Sequence, residues 1–178
     1  FTAISIGIDH GCGIVADGTL SCWGSDADGK ASPPAGEFTA ISSGNFGSCA
    51  IHDDGTLACW GSPDDGQTDA PAGNYLAVAS NTAYSCAIRE DDSLACWGTN
   101  YFRQATPPAG SYASLTLGYA QGCAVATDGG VSCWGSRSYG ATSPPRGVYT
   151  ATTASFDYLC ALDTEQKASC WGDDNFGA

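Results

Sequence analysis

The fold is decided by a stretch of fourteen residues, Ser48-Cys-Ala-Ile-His-Asp-Asp-Gly-Thr-Leu-Ala-Cys-Trp-Gly61. Two short runs rich in apolar residues flank an Asp-Asp-Gly-Thr step, in which glycine supplies the positive φ of a tight hairpin turn. If Cys49 lies opposite Cys59, then Ile51 lies opposite Leu57. Strand side chains alternate with a period of two, so these four would share one face of the hairpin.

The same set of four side chains recurs five times along the chain. The sets are Cys12, Ile14, Leu20 and Cys22; Cys49, Ile51, Leu57 and Cys59; Cys86, Ile88, Leu94 and Cys96; Cys123, Val125, Val131 and Cys133; and Cys160, Leu162, Ala168 and Cys170. Directly opposed residues in a non-hydrogen-bonded pair are close enough for a cross-strand disulfide. We therefore predict five disulfides, one in each hairpin. Zinc is disfavoured, because its sites prefer close pairs such as Cys-x-x-Cys.

These pairs mark an internal repeat of 37 residues in a chain of 178. A Trp-Gly step follows the second cysteine of every pair, which accounts for all five tryptophans. The units are 1–37, 38–74, 75–111, 112–148 and 149–178, and we expect them to form a single repeat domain. In the second unit, strands are predicted at 38–42, 48–52 and 57–61. Glycine and Pro-Pro steps in the units argue against helical repeats.

Three-stranded repeats of this kind favour an all-β propeller, in which small antiparallel blades pack radially. A linear stack of hairpins is the alternative. The fifth unit is seven residues shorter than the others. A closed five-blade ring, a run from a longer array, and a subunit whose ends meet those of another subunit all stay open. The closed ring is the arrangement that we expect.

The repeat resembles that of the regulator-of-chromosome-condensation superfamily. The resemblance rests on Gly-x-x-x-x-Cys-Ala-Ile, Asp-Gly-Thr-Leu-x-Cys-Trp-Gly and Gly-Gln, as they stand between Gly44 and Gln67. It is closest to the short bacterial repeats typified by β-lactamase-inhibitor protein II. The resemblance implies three- to four-stranded blades and binding of other proteins through one face. Those relatives have seven blades, and their binding loops share no motif with this chain.

Composition and charge exclude several classes of function. Six Lys and Arg against nineteen Asp and Glu give a net charge of −13, which disfavours nucleic acid. No apolar run approaches the length of a membrane span, so no membrane insertion is expected. A secretory leader is not apparent, and any such leader is expected to have been removed. Disulfides persist in oxidising compartments, which predicts a secreted or cell-surface protein.

The edge that carries the first turn and the long loop of each unit varies most between repeats. Aromatic side chains and arginines interleave there, as in protein-binding surfaces. The candidate binding residues are Phe46, Tyr84, Tyr101, Phe102, Arg103, Tyr119, Arg137, Tyr139, Phe156, Tyr158 and Phe176. The alternative is that these aromatics only pack the loops. The expected partner is a protein or a surface glycan, and self-assembly into an extracellular filament is the alternative function.

No catalytic residues, metal site or cofactor is predicted. His10 and His52 occupy different positions in their repeats, and a nucleophile needs a partnered base. We expect His52 to be a solvated surface side chain. The acid pairs Asp26/Asp28 and Asp64/Asp65 are absent from the third and fourth units, which argues against a repeated calcium site. An enzyme is therefore the least favoured class.

Overall fold

The computed structural model describes residues 1–156 and 158–172, with the side chain of Tyr139 left out of the description. The described chain is all-β and contains five three-stranded antiparallel sheets, one in each repeat. We number these sheets blades 1 to 5. In every blade the three strands pair in the order in which they follow one another along the chain.

The strands agree with the sequence prediction to within one residue in the second repeat. Blade 1 contains β1 (Ala3–Ile6), β2 (His10–Ile14) and β3 (Leu20–Gly24); blade 2, β4 (Phe38–Ser43), β5 (Gly47–His52) and β6 (Leu57–Gly61); blade 3, β7 (Tyr75–Ser80), β8 (Tyr84–Arg89) and β9 (Leu94–Gly98); blade 4, β10 (Tyr112–Leu117), β11 (Gln121–Ala126) and β12 (Val131–Gly135); blade 5, β13 (Tyr149–Ala154), β14 (Tyr158–Asp163) and β15 (Ala168–Gly172). Short 3-10 turns lie in two of the long loops, at Ala27–Gly29 and Ser138–Gly140.

The predicted hairpin register is confirmed. Cys49 pairs with Cys59 and Ile51 with Leu57, and the equivalent pairs recur in the other four blades. The paired cysteines form five disulfides with Cα–Cα distances of 4.0 to 4.1 Å. That separation is closer to the spacing of a non-hydrogen-bonded pair, about 4.5 Å, than to that of a hydrogen-bonded pair, about 5.5 Å. A disulfide therefore links the second and third strands of each blade.

An irregularity that the sequence did not predict lies at the start of blades 2 to 5. The register of the first two strands shifts after the first residue, as between Phe38 and Ala40 in blade 2. Such a bulge re-aims one side chain relative to the pleat. The Phe38 ring is buried and packs beside Cys12 and Ile14 of blade 1. The residue that precedes the bulge therefore contributes to the contact with the preceding blade.

The tight turns between the second and third strands are closed by aspartate side chains. In blade 2, Asp54 Oδ1 accepts hydrogen bonds from the Thr56 hydroxyl at 2.6 Å and the Thr56 amide at 2.9 Å. These bonds hold the pKa of the Asp54 carboxyl below its usual range. A carboxyl with a lowered pKa stabilises the fold above its unfolded-state pKa, about 3.9, and loses that contribution as the pH falls through the folded-state value.

We expect the stability difference between the wild type and Asp54→Asn to shrink as the pH falls from about 6 to about 3. Urea unfolding at a series of pH values measures that difference. Asp53→Asn is the control, because this neighbouring carboxylate accepts no turn hydrogen bond in the described structure. A difference for Asp54→Asn that stays constant across this range would contradict the assignment.

Neighbouring blades pack through two different faces. The cysteine face of a blade carries the disulfide and its two apolar companions, for example Cys12, Ile14 and Leu20 in blade 1. The opposite face, the tryptophan face, carries the tryptophan that occurs in every repeat and small apolar residues, for example Trp60 and Ala50 in blade 2. The cysteine face of blade 1 packs on the tryptophan face of blade 2, and the same pairing continues along the chain. The core is thus divided between consecutive blade interfaces.

An indole hydrogen bond accompanies each of these four interfaces. The Nε1 atoms of Trp60, Trp97, Trp134 and Trp171 donate to the backbone carbonyls of Lys30, Gln67, Gln104 and Ala141, respectively, at 2.8 to 2.9 Å. Each acceptor lies in the long loop of the preceding blade, 30 residues earlier. The long loops are therefore fixed by the blade that follows them, because a buried indole N–H requires an acceptor.

The expected closed ring is not formed by the described residues 1–156 and 158–172. Blades 1 to 5 pack in sequence, but blade 5 does not pack against blade 1 as the other neighbours do. Trp23 of blade 1 is 41% exposed, whereas Trp97 of blade 3 is 6% exposed. The cysteine face of blade 5, with Cys160 and Leu162, lines an open groove of about 280 Å³. The expectation of closure was wrong for this part of the chain, which forms an open row of propeller blades.

Candidate functional site: an aromatic cleft on the variable edge

Most of the described aromatic candidates lie together on the variable edge. Phe46 follows the first strand of blade 2, Tyr101 and Phe102 lie in the long loop of blade 3, and Tyr119 lies in the first turn of blade 4. These four side chains line one open cleft of about 250 Å³. All four are exposed, and Tyr101 most of all, at 86%. Three consecutive blades therefore contribute aromatic rings to a single cleft.

The cleft continues toward blade 5 through an aromatic pair. The rings of Tyr119 and Phe156 stack with centroids 4.3 Å apart and planes at 13°. Phe156 is itself exposed. Stacking of this kind restrains both side chains, so less conformational entropy remains to be lost when a partner binds them.

Polar groups in the cleft supply a small number of directional contacts. Asp65 and the hydroxyl-bearing residues Thr82 and Thr99 lie among the aromatic rings. Thr82 also accepts a hydrogen bond from the Asn45 amide at 3.1 Å, which joins the first turns of blades 2 and 3. An apolar concavity with few polar groups is typical of binding sites.

The structure separates Tyr84 from the other candidates. Its side chain is 1% exposed, and its hydroxyl donates to the carbonyls of Gly118 and Gln121 at 3.0 and 2.8 Å. Burial raises the pKa of the Tyr84 hydroxyl well above its usual range, so the group remains a donor. Tyr84 therefore links blade 3 to blade 4 inside the core, and only its edge reaches the cleft wall. Tyr158 occupies the equivalent repeat position and is half-buried.

The remaining candidates lie apart from the aromatic rings or outside the described structure. Arg103 and Arg137 are exposed and line a second groove beside the long loops of blades 3 and 4. Phe176 lies outside the described residues, and the side chain of Tyr139 is not described. The cleft is thus formed by Phe46, Tyr101, Phe102 and Tyr119, with Phe156 stacked beside it.

Gln104 supports the site but was not among the candidates. Its side chain is buried, and its Oε1 accepts a hydrogen bond from the Phe102 amide at 2.8 Å. Its backbone carbonyl accepts the Trp134 indole. Gln67 makes the same two contacts in blade 2, to the Asp65 amide and Trp97. Glutamine occurs at the same repeat position in both blades, and this recurrence is the feature of the sequence that could have identified Gln104.

A serine–histidine contact between blades 1 and 2 has neither the hydrogen bonds nor the access of a hydrolase site. His10 Nε2 lies 2.9 Å from Ser48 Oγ, and His10 Nδ1 lies 3.6 Å from Asp9 Oδ1. Ser48 is 2% exposed, and its hydroxyl donates to Ser43 Oγ at 2.9 Å. Burial lowers the pKa of His10. A substrate cannot reach Ser48 in this arrangement, so the contact joins two blades.

His52 differs from its expected solvated state. It is half-buried, and its ring stacks on that of Phe38 with centroids 4.2 Å apart. Within residues 1–156 and 158–172, no group of three or more His, Cys, Asp or Glu side chains is placed to hold a metal ion. No helix in the described part of the chain is long and apolar enough to cross a membrane.

One family model matches the first two repeats of the chain. The family model of the regulator of chromosome condensation (RCC1) repeat matches residues 1–30 and 38–67, which cover most of the first two units. No curated protein matches the chain by sequence. The sequence relationship therefore lies at the level of the repeat unit.

Solved structures share the fold at low sequence identity. The ectodomain of the receptor kinase CR4 from Physcomitrella patens is 24% identical and superposes with a TM-score of 0.81 over 96% of this chain and 51% of its own. The CRINKLY WD40 ectodomain of the Arabidopsis thaliana receptor kinase ACR4 is 21% identical, with a TM-score of 0.77 over 95% and 62%. Prp20p from Saccharomyces cerevisiae is 13% identical, with a TM-score of 0.78 over 92% and 56%.

This chain therefore spans between about half and about three fifths of the length of these proteins. The five blades superpose on part of each of those folds, and every blade of this chain contains a disulfide. The matched repeats and the shared architecture together support an RCC1-like repeat propeller.

Proposed function

We propose that this chain is a non-catalytic binding module, secreted or displayed on a cell surface, which holds a protein partner in its aromatic cleft. The observation that carries the proposal is the convergence of Phe46, Tyr101, Phe102 and Tyr119, from three blades, on one exposed concavity. Exposed aromatic rings that surround a concavity are the side chains that dominate binding energy in protein interfaces.

The scaffold supports this use of the edge. The disulfides, the indole hydrogen bonds and the aspartate turns stabilise each blade without the cleft residues. Those residues are therefore free to differ between blades. Five disulfides favour an oxidising compartment. Prp20p, which shares the fold, binds Gsp1p and histones. The closer likeness to the bacterial β-lactamase-inhibitor protein II type stays a prediction.

Selection from a display library of secreted and cell-surface protein domains tests the proposal. We expect selected binders to lose most of their affinity for the double variant Tyr101→Ser/Phe102→Ser. They should bind normally to Asp17→Asn/Asp128→Asn, a matched pair of changes on the tight-turn edge. Binders that are unaffected by the cleft variant but lost in the tight-turn variant would overturn the proposal. Glycan arrays distinguish a protein from a surface glycan as the partner.

A second candidate function, head-to-tail assembly, is favoured by the two open ends of the row. The tryptophan face of blade 1 exposes Phe1, Ile4, Ile6 and Trp23. The equivalents of Ile4 in blades 2 to 4, Ile41, Val78 and Leu115, are half-buried against the preceding blade. Blade 5 presents an open cysteine face. The two faces are the complementary halves of the interface that is repeated inside the chain.

We expect the protein to associate as its concentration rises, because contiguous exposed apolar surface favours burial. Analytical ultracentrifugation measures this association. The double variant Ile4→Glu/Ile6→Glu should remain monomeric, since it places charge on the tryptophan face of blade 1 without touching a described interface. A wild type that stays monomeric at every concentration would exclude assembly and leave the aromatic cleft as the function.

A further inference from the structure

Two arginines stand out from the acidic surface because the other basic residues lie near acidic side chains or an aromatic ring. Lys30 Nζ lies 2.8 Å from both carboxylate oxygens of Asp9, and Lys167 Nζ lies 2.6 Å from Glu165. The Arg89 guanidinium lies over the Tyr75 ring, 5.3 Å from its centroid. Arg146 lines a surface cavity that it shares with acidic side chains.

Arg103 and Arg137 converge on one groove from neighbouring blades. Arg103 lies in the long loop of blade 3 and Arg137 at the start of the long loop of blade 4. The groove has a volume of about 430 Å³, and among the described residues its lining includes Thr106, Thr142 and Ser143 but no Asp or Glu. Among the described residues, neither arginine has a carboxylate within ion-pair distance.

The backbone at Arg103 has a conformation that favours glycine, which indicates that the arginine side chain serves a function. Arg103 has a φ of 64°, in the left-handed region. The equivalent residues of blades 1, 2 and 4 are Gly29, Gly66 and Gly140, with φ values of 76°, 72° and 74°. A side chain in this conformation is strained, and such strain is concentrated at functional sites. A Cβ added at Gly29 or Gly140 would meet no atom within 4 Å. The position therefore offers an arginine open space and no packing partner.

We infer that this groove binds the carboxylates of an acidic peptide segment in a protein partner. Two guanidinium groups with neighbouring hydroxyls match carboxylate oxygens, which arginine binds in bidentate fashion. Phe102 of the aromatic cleft is adjacent to Arg103 in the chain, so an apolar side chain of the same segment reaches the cleft. A net charge of −13 repels an extended polyanion, whereas a short acidic segment contacts only the groove.

This inference rests on the proposed function, since it names the chemistry of the partner that the cleft receives. The probe is a fluorescein-labelled ten-residue peptide of alternating glutamate and tyrosine, and a glutamine–tyrosine peptide of the same length is its matched control. Fluorescence anisotropy at several salt concentrations measures binding to the full chain. We expect the glutamate peptide to bind roughly tenfold more tightly at low salt, with a preference that decreases as salt is added.

Arg103→Gly introduces the glycine that the other repeats have at this position. The variant is therefore expected to fold, and the backbone strain at residue 103 is relieved. We expect this variant to lose the preference for glutamate while its melting temperature stays the same or rises. Arg137→Asn, which introduces the residue found at the equivalent position, Asn100, should lose the preference as well. A lower melting temperature for Arg103→Gly with an unchanged preference would overturn the inference, because Arg103 would then be structural.

The other outcomes separate the groove from the cleft. If both peptides bind equally and Tyr101→Ser removes both, the cleft is a binding site and the groove inference is wrong. If neither peptide binds, the inference is also wrong. A heparin oligosaccharide that binds in an Arg103-dependent manner, while the glutamate peptide does not, would assign the groove to an anionic glycan and overturn the peptide assignment.

Discussion

Replacing Trp97 with alanine is expected to lower the free energy of unfolding by about 3–5 kcal/mol. The Trp97 side chain is buried between blades 2 and 3, and its Nε1 donates to the Gln67 carbonyl at 2.8 Å. The substitution removes a large apolar side chain from a packed interface and leaves a buried carbonyl without its donor. Urea unfolding, followed by circular dichroism, measures the change.

Trp23→Ala is the matched control for this prediction. Trp23 occupies the same repeat position, but it is exposed and packs mainly beside Phe1, with ring centroids 5.8 Å apart. We expect this substitution to cost about 1 kcal/mol or less. A loss for Trp97→Ala as small as the one expected for Trp23→Ala would contradict the interface described for blades 2 and 3.

Removing the disulfide of blade 3 with Cys86→Ala/Cys96→Ala is expected to destabilise the protein by on the order of 2–3 kcal/mol. The bond closes a short loop and restricts the unfolded chain. Cys86 is also fully buried, packed with Tyr112 and Trp134 of blade 4, so its loss disturbs an interface. Differential scanning calorimetry of the variant against the wild type gives the change in stability.

The corresponding variant of blade 5, Cys160→Ala/Cys170→Ala, separates the two contributions. Its loop has the same length, but its cysteine face is open. We therefore expect a smaller loss than in blade 3, because the chain-entropy contribution is the same and less packing is disturbed. A larger loss in blade 5 than in blade 3 would contradict the assignment of the cysteine face as an interface.

The hairpins could be predicted from the sequence because their determinants are local and repeated. The spacing of Cys49 and Cys59 and the Asp-Gly turn between them define the register without reference to other blades. Because the pattern occurs five times, a single exception does not obscure it, such as Ala168 where the other repeats have leucine or valine. The variable edge could be recognised in the same way, as the part of each repeat that the pattern leaves free.

The exposure of individual edge residues could not be predicted. Tyr84 and Tyr119 both lie near first turns, yet one is buried between blades and the other lines the cleft. Their repeat positions differ by two, and the turn geometry decides which position points into the next blade. His10 and Gln121, at the position of Tyr84, also reach the following blade. The residue types at this position do not reveal the shared contact, because tyrosine, histidine and glutamine differ in chemistry.

Ring closure depends on the angle between blades, which no single repeat encodes. The same cysteine and tryptophan faces are compatible with rings of different size, and small changes in each interface accumulate along the row. The unusual conformation of Arg103, by contrast, had a signal in the sequence. It stands where the other four repeats have glycine, and a left-handed backbone favours glycine.

The most direct test of the account is a hydrogen–deuterium exchange footprint of the protein with a selected protein binder. We expect protection of the loops that carry Phe46, Tyr101, Phe102 and Tyr119, together with the long loops of blades 3 and 4 beside Arg103 and Arg137. The tight turns at Asp17, Asp54 and Asp91 should exchange as in the free protein. A footprint on those turns, or confined to β1 and Trp23 of blade 1, would contradict the claim that the aromatic cleft is the binding site.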